Sequence, residues 1–268
     1  MKLNTPQKIT AGFFVLLLVF WMWLFLTGAK EGFYNYLYSF LFGLPPLVGG
    51  LISIFVSKLW GRFQSNVGKA VFFLGLGLFL WGCGSMVWVF YYNLTLSIPA
   101  PYPSLADLGY APGSFLYSLG AYYLAKLSET SVQLKKPGAK LYAVLATVVV
   151  AVISYFLFVI VARGGVLVSD GSSPIKTFFD IVYPLGDFTA LTIAVLISGL
   201  SFPYMHGKYK FDIAMVLLGL LMMFIADLIF SYTTTVGSFY NGNLGDLFFT
   251  LSTSLLTFGV LGFYTLKE

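Results

Sequence analysis

Two aspartates lie deep inside long apolar runs of the sequence, where an ionised side chain is costly. Asp187 is about ten residues, or about 15 Å along a helix, from the start of its run, and Asp227 lies at a comparable depth in the next run. A carboxylate at the centre of a bilayer costs about 2.5–3.5 kcal/mol on insertion scales. We therefore expect the two carboxyls to share a proton, to bind a cation, or to accept a hydrogen bond from Tyr183, Ser231 or Tyr232.

This pair of acids has a functional and a structural interpretation. In the functional one, a ligand or proton is held between the two carboxyls and changes their charge state. In the structural one, the side chains only join two helices through a buried hydrogen bond, as polar groups in membrane helices also do. The sequence leaves both interpretations open.

Three further aspartates begin apolar runs with related patterns. They are Asp107-Leu-Gly-Tyr110, Asp180-Ile-Val-Tyr183 and Asp246-Leu-Phe-Phe249, and Ser39-Phe-Leu-Phe42 is a neutral counterpart. The four starts are 68, 73 and 66 residues apart. This spacing predicts four tandem helical hairpins in parallel orientation.

A capping role competes with a ligand-binding role at two of these aspartates. Asp107 lies three residues after Ser104, and Asp246 lies three residues after Asn243. Ser and Asn are favourable N-caps, and a carboxylate three residues later bonds back to the cap and matches the positive end of the helix dipole.

Polar residues recur at helical spacing after each of these aspartates and therefore share one face of each helix. Lipid cannot satisfy such groups, so we expect the faces to turn toward one another or toward water. The prediction is an outward-facing, acidic, tyrosine-lined cavity with essentially no basic residue, which takes a small molecule or a cation. The candidate ligand-binding residues are Asp107, Tyr110, Asp180, Tyr183, Asp187, Asp227, Ser231, Tyr232 and Asp246.

Composition identifies the elements that must position these side chains. Of 268 residues, 59% are hydrophobic and 9% are charged, against roughly 25% charged in a soluble domain. The apolar runs are long enough to cross a hydrocarbon core as helices. We predict an all-α integral membrane protein with one transmembrane domain over residues 1–268 and eight spans, at 9–28, 34–57, 67–92, 105–127, 140–162, 174–202, 209–236 and 244–266.

The basic residues predict the orientation of these spans. With eight helices, three of the 15 basic residues, Lys30, Arg163 and Lys176, fall on one side. The other twelve fall on the side that holds both termini: Lys2, Lys8, Lys58, Arg62, Lys69, Lys126, Lys135, Lys136, Lys140, Lys208, Lys210 and Lys267. The positive-inside rule then predicts a multi-pass protein of the inner (plasma) membrane with both termini in the cytoplasm.

Several classes of site and partner are excluded by residue counts. The single cysteine, Cys83, forms no intramolecular disulfide and no cysteine-based metal site. The single histidine, His206, excludes HExxH zinc sites and bis-histidine haem ligation. We expect no cofactor, no metal site and no nucleic-acid partner, since the basic residues are topology signals between apolar runs.

The order of several short motifs resembles that of a bacterial family. The motifs are Pro103-Ser104-Leu-Ala-Asp107-Leu-Gly-Tyr110, Tyr183-Pro184-Leu-Gly-Asp187, Ala226-Asp227, Gly237-Ser-Phe-Tyr240-Asn-Gly242 and Asp246. Over roughly residues 100–250 this order resembles the multi-pass membrane sensor modules that precede GGDEF diguanylate cyclase or histidine kinase domains. The resemblance implies an input module whose matching positions are Asp107, Tyr183, Asp187, Asp227 and Asp246. The sequence contains no output domain, so we expect signalling through a separate cytoplasmic partner.

A second resemblance concerns Leu185-Gly186-Asp187, which is similar to the G-x-G-D motif of intramembrane aspartyl proteases, with Asp227 as the second carboxylate. Two aspartates that share a proton are the chemistry such a protease needs. Pro184 replaces the first glycine of that motif, however, and the motif precedes its partner helix instead of following it.

The sequence therefore favours a non-enzymatic membrane sensor or ligand-binding module that acts through partner proteins. The runner-up is a small-molecule, ion or proton-coupled transporter, because acids at the middle of a span and proline-interrupted helices also suit alternating access. An intramembrane aspartyl protease is a minor alternative, and a purely structural role is a further one.

Overall fold

The computed structural model describes residues 3–168, 173–202, 205 and 207–264, and within these ranges the chain is helical and has no strand. The helices are α1 (Thr5–Thr27), α2 (Phe33–Leu59), α3 (Asn66–Met86), α4 (Asp107–Leu127), the single turn α5 (Thr130–Gln133), α6 (Ala139–Tyr155), α7 (Pro174–Leu200), α8 (Lys210–Thr235) and α9 (Leu244–Leu261). A 3-10 turn covers Arg62–Gln64, and π-helical segments extend α3 over Val87–Thr95 and α6 over Phe156–Val161.

Local sequence signals explain where several helices begin. Asn4 caps α1 in a reciprocal capping box with Gln7, and the Ser173 side chain accepts from the Lys176 amide just before Pro174 opens α7. The predicted cap Asn243 starts α9 by accepting a hydrogen bond from the Asp246 amide at 3.1 Å. Side chains at these positions satisfy amides that no helical carbonyl reaches.

Hydrogen bonds between distant parts of the chain define the two ends of the bundle. At one end, which we call the basic end, Asn4 before α1 bonds to Leu261 in the last turn of α9. At the other, which we call the cavity end, Asn35 in the first turn of α2 bonds to Asn241 before α9. Helix α9 therefore runs antiparallel to α1 and parallel to α2.

Seven of the long helices are apolar and long enough to cross a membrane: α1, α2, α3 with its π segment, α6 with its π segment, α7, α8 and α9. The outer helices α1 and α6 expose large apolar side chains such as Leu26 and Val152. Exposed apolar faces of this extent suit lipid and not water. The described chain thus has the architecture of an all-α membrane protein.

Helix α4 is the long helix that falls short of this apolar level, although its 21 residues match the length of a span. Its polar residues turn inward: Asp107, Ser114, Tyr117 and Ser118 are all buried. At Gly109 a Cβ atom would come within 2.4 Å of the Leu80 carbonyl oxygen, so glycine lets α4 and α3 pack backbone against backbone.

The centre of the bundle is α9, which contacts α1, α2, α3 and α8. Most of its residues are buried, including the hydroxyl side chains of Thr250, Thr253 and Thr257. Helix α7 packs against α4, α6 and α8. This arrangement brings the N-terminal halves of α4, α7 and α9 around a common space together with the C-terminal half of α8.

The observed bounds agree with the predicted spans to within a few residues. The larger differences are at the ends: α1 begins at Thr5 and not at residue 9, and α9 ends at Leu261 and not at residue 266. No pattern of residues predicted the two π segments. Both lie at the cavity end, where such wide turns often occur beside functional sites.

Candidate functional site

A cavity of about 500 Å³ lies between the helices at the cavity end. Its volume is within the range of roughly 300–1,000 Å³ that is typical of small-molecule sites. Residues Val166, Leu167, Thr234 and Thr235 line it and are exposed at the end of the bundle, so the cavity opens there. The deep part reaches the middle of α7.

The structure places eight of the nine predicted ligand-binding residues around this one cavity. They are Asp107, Tyr110, Asp180, Tyr183, Asp187, Asp227, Ser231 and Asp246. The ninth, Tyr232, does not line it: its side chain follows Ser231 by one position, points away, and is 47% exposed. Adjacent residues of a helix face different directions, so Tyr232 does not share the cavity face of Ser231.

The deepest acidic groups are Asp187 and Asp227, which we call the carboxyl pair. Asp187 is the middle residue of α7, 13 residues from each end, and Asp227 lies eight residues before the end of α8. Their carboxyl groups lie within hydrogen-bonding reach of each other. Two ionised carboxylates at this distance repel, so the arrangement needs a proton or a cationic guest between them.

Among the described residues no group outside the carboxyl pair donates a hydrogen bond to it. Asp187 is 5% exposed, and its Oδ2 atom is buried without a hydrogen-bond partner. A buried acceptor left in this state costs free energy, so native structures rarely keep one without a reason. The hydroxyl of Tyr117, which is 2% exposed and also lines the cavity, is likewise unpartnered.

The hydroxyl groups considered as hydrogen-bond donors to the carboxyl pair do not bond to it. The Tyr183 hydroxyl donates to Asp107 Oδ1 at 2.5 Å, and the Ser231 hydroxyl accepts from Arg163 Nε at 3.3 Å. Tyr232 is exposed. None of these three hydroxyls bonds to the carboxyl pair in the structure, so of the three alternatives the shared proton and the bound cation remain.

Asp107 and Asp246 both support the start of a helix. Asp107 Oδ2 accepts from the Ser104 amide at 2.6 Å, and Asp246 Oδ2 accepts from the Gly242 amide at 2.5 Å. Both side chains are buried and both line the cavity. For Asp246 the predicted cap Asn243 is observed, so capping and a place in the cavity wall occur together. For Asp107 the prediction of Ser104 as the N-cap was wrong, because α4 begins at Asp107 itself, after Ala106, and has no side-chain cap bond.

Asp180 lies at the mouth of the cavity in what we call the ion cluster, formed by Tyr102, Arg163, Lys176 and Asp180. Lys176 Nζ donates to Asp180 Oδ2 at 2.7 Å, Arg163 Nη2 lies 3.7 Å from Asp180 Oδ1, and the Tyr102 hydroxyl donates to Asp180 Oδ1 at 3.0 Å. Burial of Tyr102 and the neighbouring Asp180 carboxylate raise the pKa of the Tyr102 hydroxyl well above its usual range, so it stays a donor.

The ion cluster corrects the expectation of a cavity without basic residues. Arg163 and Lys176 both line the cavity, and both are held by Asp180. The spacing of Lys176 and Asp180, four residues apart on one helix, is a signal that sequence analysis could have used. Arg163 follows the π segment of α6 and has no such periodic relation to Asp180.

Two residues of the Pro184-Leu-Gly-Asp187 motif position the acids of α7. Pro184 has no amide hydrogen, so the Asp180 carbonyl one turn earlier lacks its helical donor. Arg163 Nη1 donates to that carbonyl at 2.9 Å. At Gly186 a Cβ atom would come within 2.5 Å of Ser114 Oγ, so glycine lets α7 approach α4 beside Asp187.

Aromatic side chains form a large part of the cavity wall. Trp81 is central, with its ring centroid 5.2 Å from that of Tyr110, 5.5 Å from that of Phe249 and 5.9 Å from that of Phe42. Phe158 enters from the π segment of α6. The site therefore combines buried carboxyls with the faces and edges of aromatic rings.

Sequence analysis missed a polar wall centred on Asn241. Its Oδ1 accepts from Trp88 Nε1 at 3.1 Å, and its Nδ2 donates to Asn93 Oδ1 at 3.3 Å. Trp88 and Asn93 belong to the π segment that extends α3, and both Trp88 and Asn241 line the cavity. The network ties the loop before α9 to α3.

In the described part of the chain no three His, Cys, Asp or Glu side chains come together in a way that could hold a metal ion. His206 lies outside the described residues. Comparison of the chain with protein-family models, with curated proteins and with solved structures finds no match.

Proposed function

We propose that this chain is a membrane sensor module that binds a small ligand in its cavity and acts through a partner protein, without catalysing a reaction. The observation that carries the proposal is the carboxyl pair: a buried acceptor without a donor, at the bottom of a cavity of about 500 Å³. A buried acceptor without a donor lowers the stability of the protein, and a ligand that donates a hydrogen bond to it removes this cost.

The proposal includes eight spans, with α4 as the eighth, and a cavity that faces outward. In an α-helix 21 residues extend about 31 Å, which is enough to cross the hydrocarbon core. Lys8, Lys58, Arg62, Lys69 and Lys126 lie near the basic end, and Lys2 and Lys267 lie outside the described residues. By the positive-inside rule the basic end and both termini are cytoplasmic, in the inner (plasma) membrane.

Binding would be coupled to helix packing through α7 and α8. These helices each carry one member of the carboxyl pair, so a cationic or proton-donating guest removes a repulsion between them. A guest that favours the closer packing shifts a two-state bundle toward it. The change would reach a cytoplasmic signalling partner at the basic end, where α7 ends and α8 begins.

The test is to purify the protein from native membranes in mild detergent and to identify co-purifying small molecules by mass spectrometry. We expect a stoichiometric guest with the wild type and its loss in Asp187→Asn. The matched control is Asp212→Asn, which changes a buried acid on α8 that accepts from Gln7 at 2.7 Å, away from the cavity. Equal amounts of guest in all three proteins, or none in the wild type, would reject the proposal.

A transporter is the second candidate, because the middle of α7 holds an acid and Pro184 interrupts the same helix. Flux separates the two functions. Proteoliposomes containing the wild type should show no uptake of the co-purified molecule and no coupled proton movement if the chain is a sensor. Uptake that depends on Asp187 would favour the transporter.

An intramembrane aspartyl protease is a third candidate because the carboxyl pair has the contact that such a protease requires. Its motif differs at Pro184, and the order of its two helices is reversed. Incubation with a transmembrane peptide in detergent tests it directly. Cleavage that disappears in Asp187→Asn and Asp227→Asn would replace the sensor proposal with this one.

A further inference from the structure

The charges of the cavity wall point to a guest of positive sign. Five carboxyl groups line it, those of Asp107, Asp180, Asp187, Asp227 and Asp246, against two basic side chains. Both basic side chains are paired with Asp180 at the mouth. The deeper part therefore has a surplus of carboxyl groups, and no described basic side chain is paired with them.

The donors already present show which acids remain available. Asp107 accepts from Tyr183 and Ser104, and Asp246 accepts from the Gly242 amide. Asp187 Oδ2 accepts from nothing. A guest that completes the site must bring its own hydrogen-bond donors, and it must bring them to Asp187 and Asp227.

The need for donors distinguishes between kinds of cation. A protonated primary amine has three N–H donors on one charged atom, and it can bond to both members of the carboxyl pair. A quaternary ammonium has no N–H group. A divalent metal ion prefers six or more oxygen ligands, and no cluster of three metal-binding side chains exists among the described residues.

The walls above the carboxyl pair fit an organic body attached to this amine. Trp81 and Tyr110 have ring centroids 5.2 Å apart and lie beside Phe42 and Phe249. Aromatic rings attract cations and also cover apolar groups. An inorganic ion would use neither this surface nor a volume of about 500 Å³.

We propose that the cavity binds an organic ammonium ion, a primary amine on an apolar or aromatic body, with the charged nitrogen between Asp187 and Asp227 and the body against Trp81. This inference rests on the proposed ligand-binding function and names the chemical class of its ligand. In this arrangement the ion cluster at the mouth does not contact the nitrogen. Asp180 pairs with Arg163 and Lys176 at the entrance and does not balance the charge of the ligand.

Binding of matched probes to the purified full chain tests the proposal. The probes are 2-phenylethylammonium and n-butylammonium, each compared with the alcohol of the same skeleton, 2-phenylethanol and n-butanol, by ligand-dependent shift of the melting midpoint. We expect each ammonium ion to bind the wild type at least about tenfold more tightly than its alcohol, because the alcohol lacks the charge that the carboxyl pair balances.

Variants locate the effect at the carboxyl pair. Asp187→Asn should lower ammonium affinity at least about tenfold and remove the preference over the alcohol. Asp227→Asn gives a second reading if the first variant does not fold. Asp212→Asn, which changes a buried acid outside the cavity wall, should keep the preference.

Other outcomes overturn the inference. Equal response to ammonium and alcohol, response to neither, or a response to calcium or sodium chloride that depends on Asp187 would each contradict an organic ammonium ligand. The co-purification test of the proposed function is independent of these probes. A neutral or anionic guest that requires Asp187 would keep that function and reject the ammonium ion.

Discussion

The ion cluster and the carboxyl pair place the same residue type in two opposite situations. Asp180 and Asp187 lie seven residues apart on one face of α7, and both are buried. Asp180 accepts from Lys176 and Tyr102 and lies beside Arg163, whereas the polar partner of Asp187 is another carboxyl, that of Asp227. Burial alone therefore does not separate an acid that stabilises the fold from one that is a candidate for ligand binding. The hydrogen-bond donors around each acid separate the two.

Removal of the ion cluster's acid should have the largest effect on stability. Asp180→Asn leaves Arg163, which is 14% exposed, and Lys176 without a carboxylate. Breaking a buried pair at one partner costs about 3 kcal/mol. We expect a loss of that order in the free energy of unfolding, measured in mixed micelles. Glu31→Gln changes an exposed acid and should leave it unaltered; a loss below about 0.5 kcal/mol for Asp180→Asn would remove the contrast.

The next largest loss of stability is expected for a substitution at Gly186, beside Asp187. In Gly186→Ala the new Cβ atom meets Ser114 Oγ at 2.5 Å and pushes α7 from α4. Overpacking of this kind costs about 1–3 kcal/mol. The matched variant Gly12→Ala, in α1, adds the same methyl group where nothing lies within 4 Å. Equal melting midpoints for the two variants would show that the close approach of α7 and α4 does not position the carboxyl pair.

We expect a smaller loss of stability when a tyrosine hydroxyl that donates to a buried acid is deleted and the acid keeps its other donors. Tyr183→Phe deletes the donor to Asp107 Oδ1, while the Ser104 amide still donates to Oδ2. The free energy of unfolding should fall by about 1–2 kcal/mol. Tyr232→Phe removes a hydroxyl from an exposed side chain and serves as the control. If both variants melt alike, Asp107 does not depend on Tyr183.

The helices and the grouping of the acids were within reach of sequence analysis. Apolar runs of span length predict helices, because in lipid a helix satisfies the backbone hydrogen bonds of the run internally. The helical spacing of Asp107, Tyr110, Ser114 and Tyr117 predicts that these side chains share one face. The structure puts that face on the cavity. The polarity of α4 follows from the same residues, since a helix with a cavity face is less apolar than its neighbours.

The partners of each acid were out of reach. Arg163 donates to the Asp180 carbonyl and the Tyr183 hydroxyl donates to Asp107 because of which helices pack together. The spacing of residues along the sequence does not show which helices are neighbours. The π segments also left no mark in the sequence, because they arise from packing at the end of the bundle. Asn241 lies in a loop, where spacing has no meaning.

The unfolding free energy of ligand-free Asp187→Asn, measured beside Asp180→Asn under identical conditions, shows whether the carboxyl pair stabilises the fold or is free for a ligand. We expect Asp187→Asn to be as stable as the wild type or more stable, because an amide removes a repulsion and supplies a donor to Asp227. A loss of unfolding free energy as large as that of Asp180→Asn would show that the carboxyl pair holds the helices together and is not a ligand site.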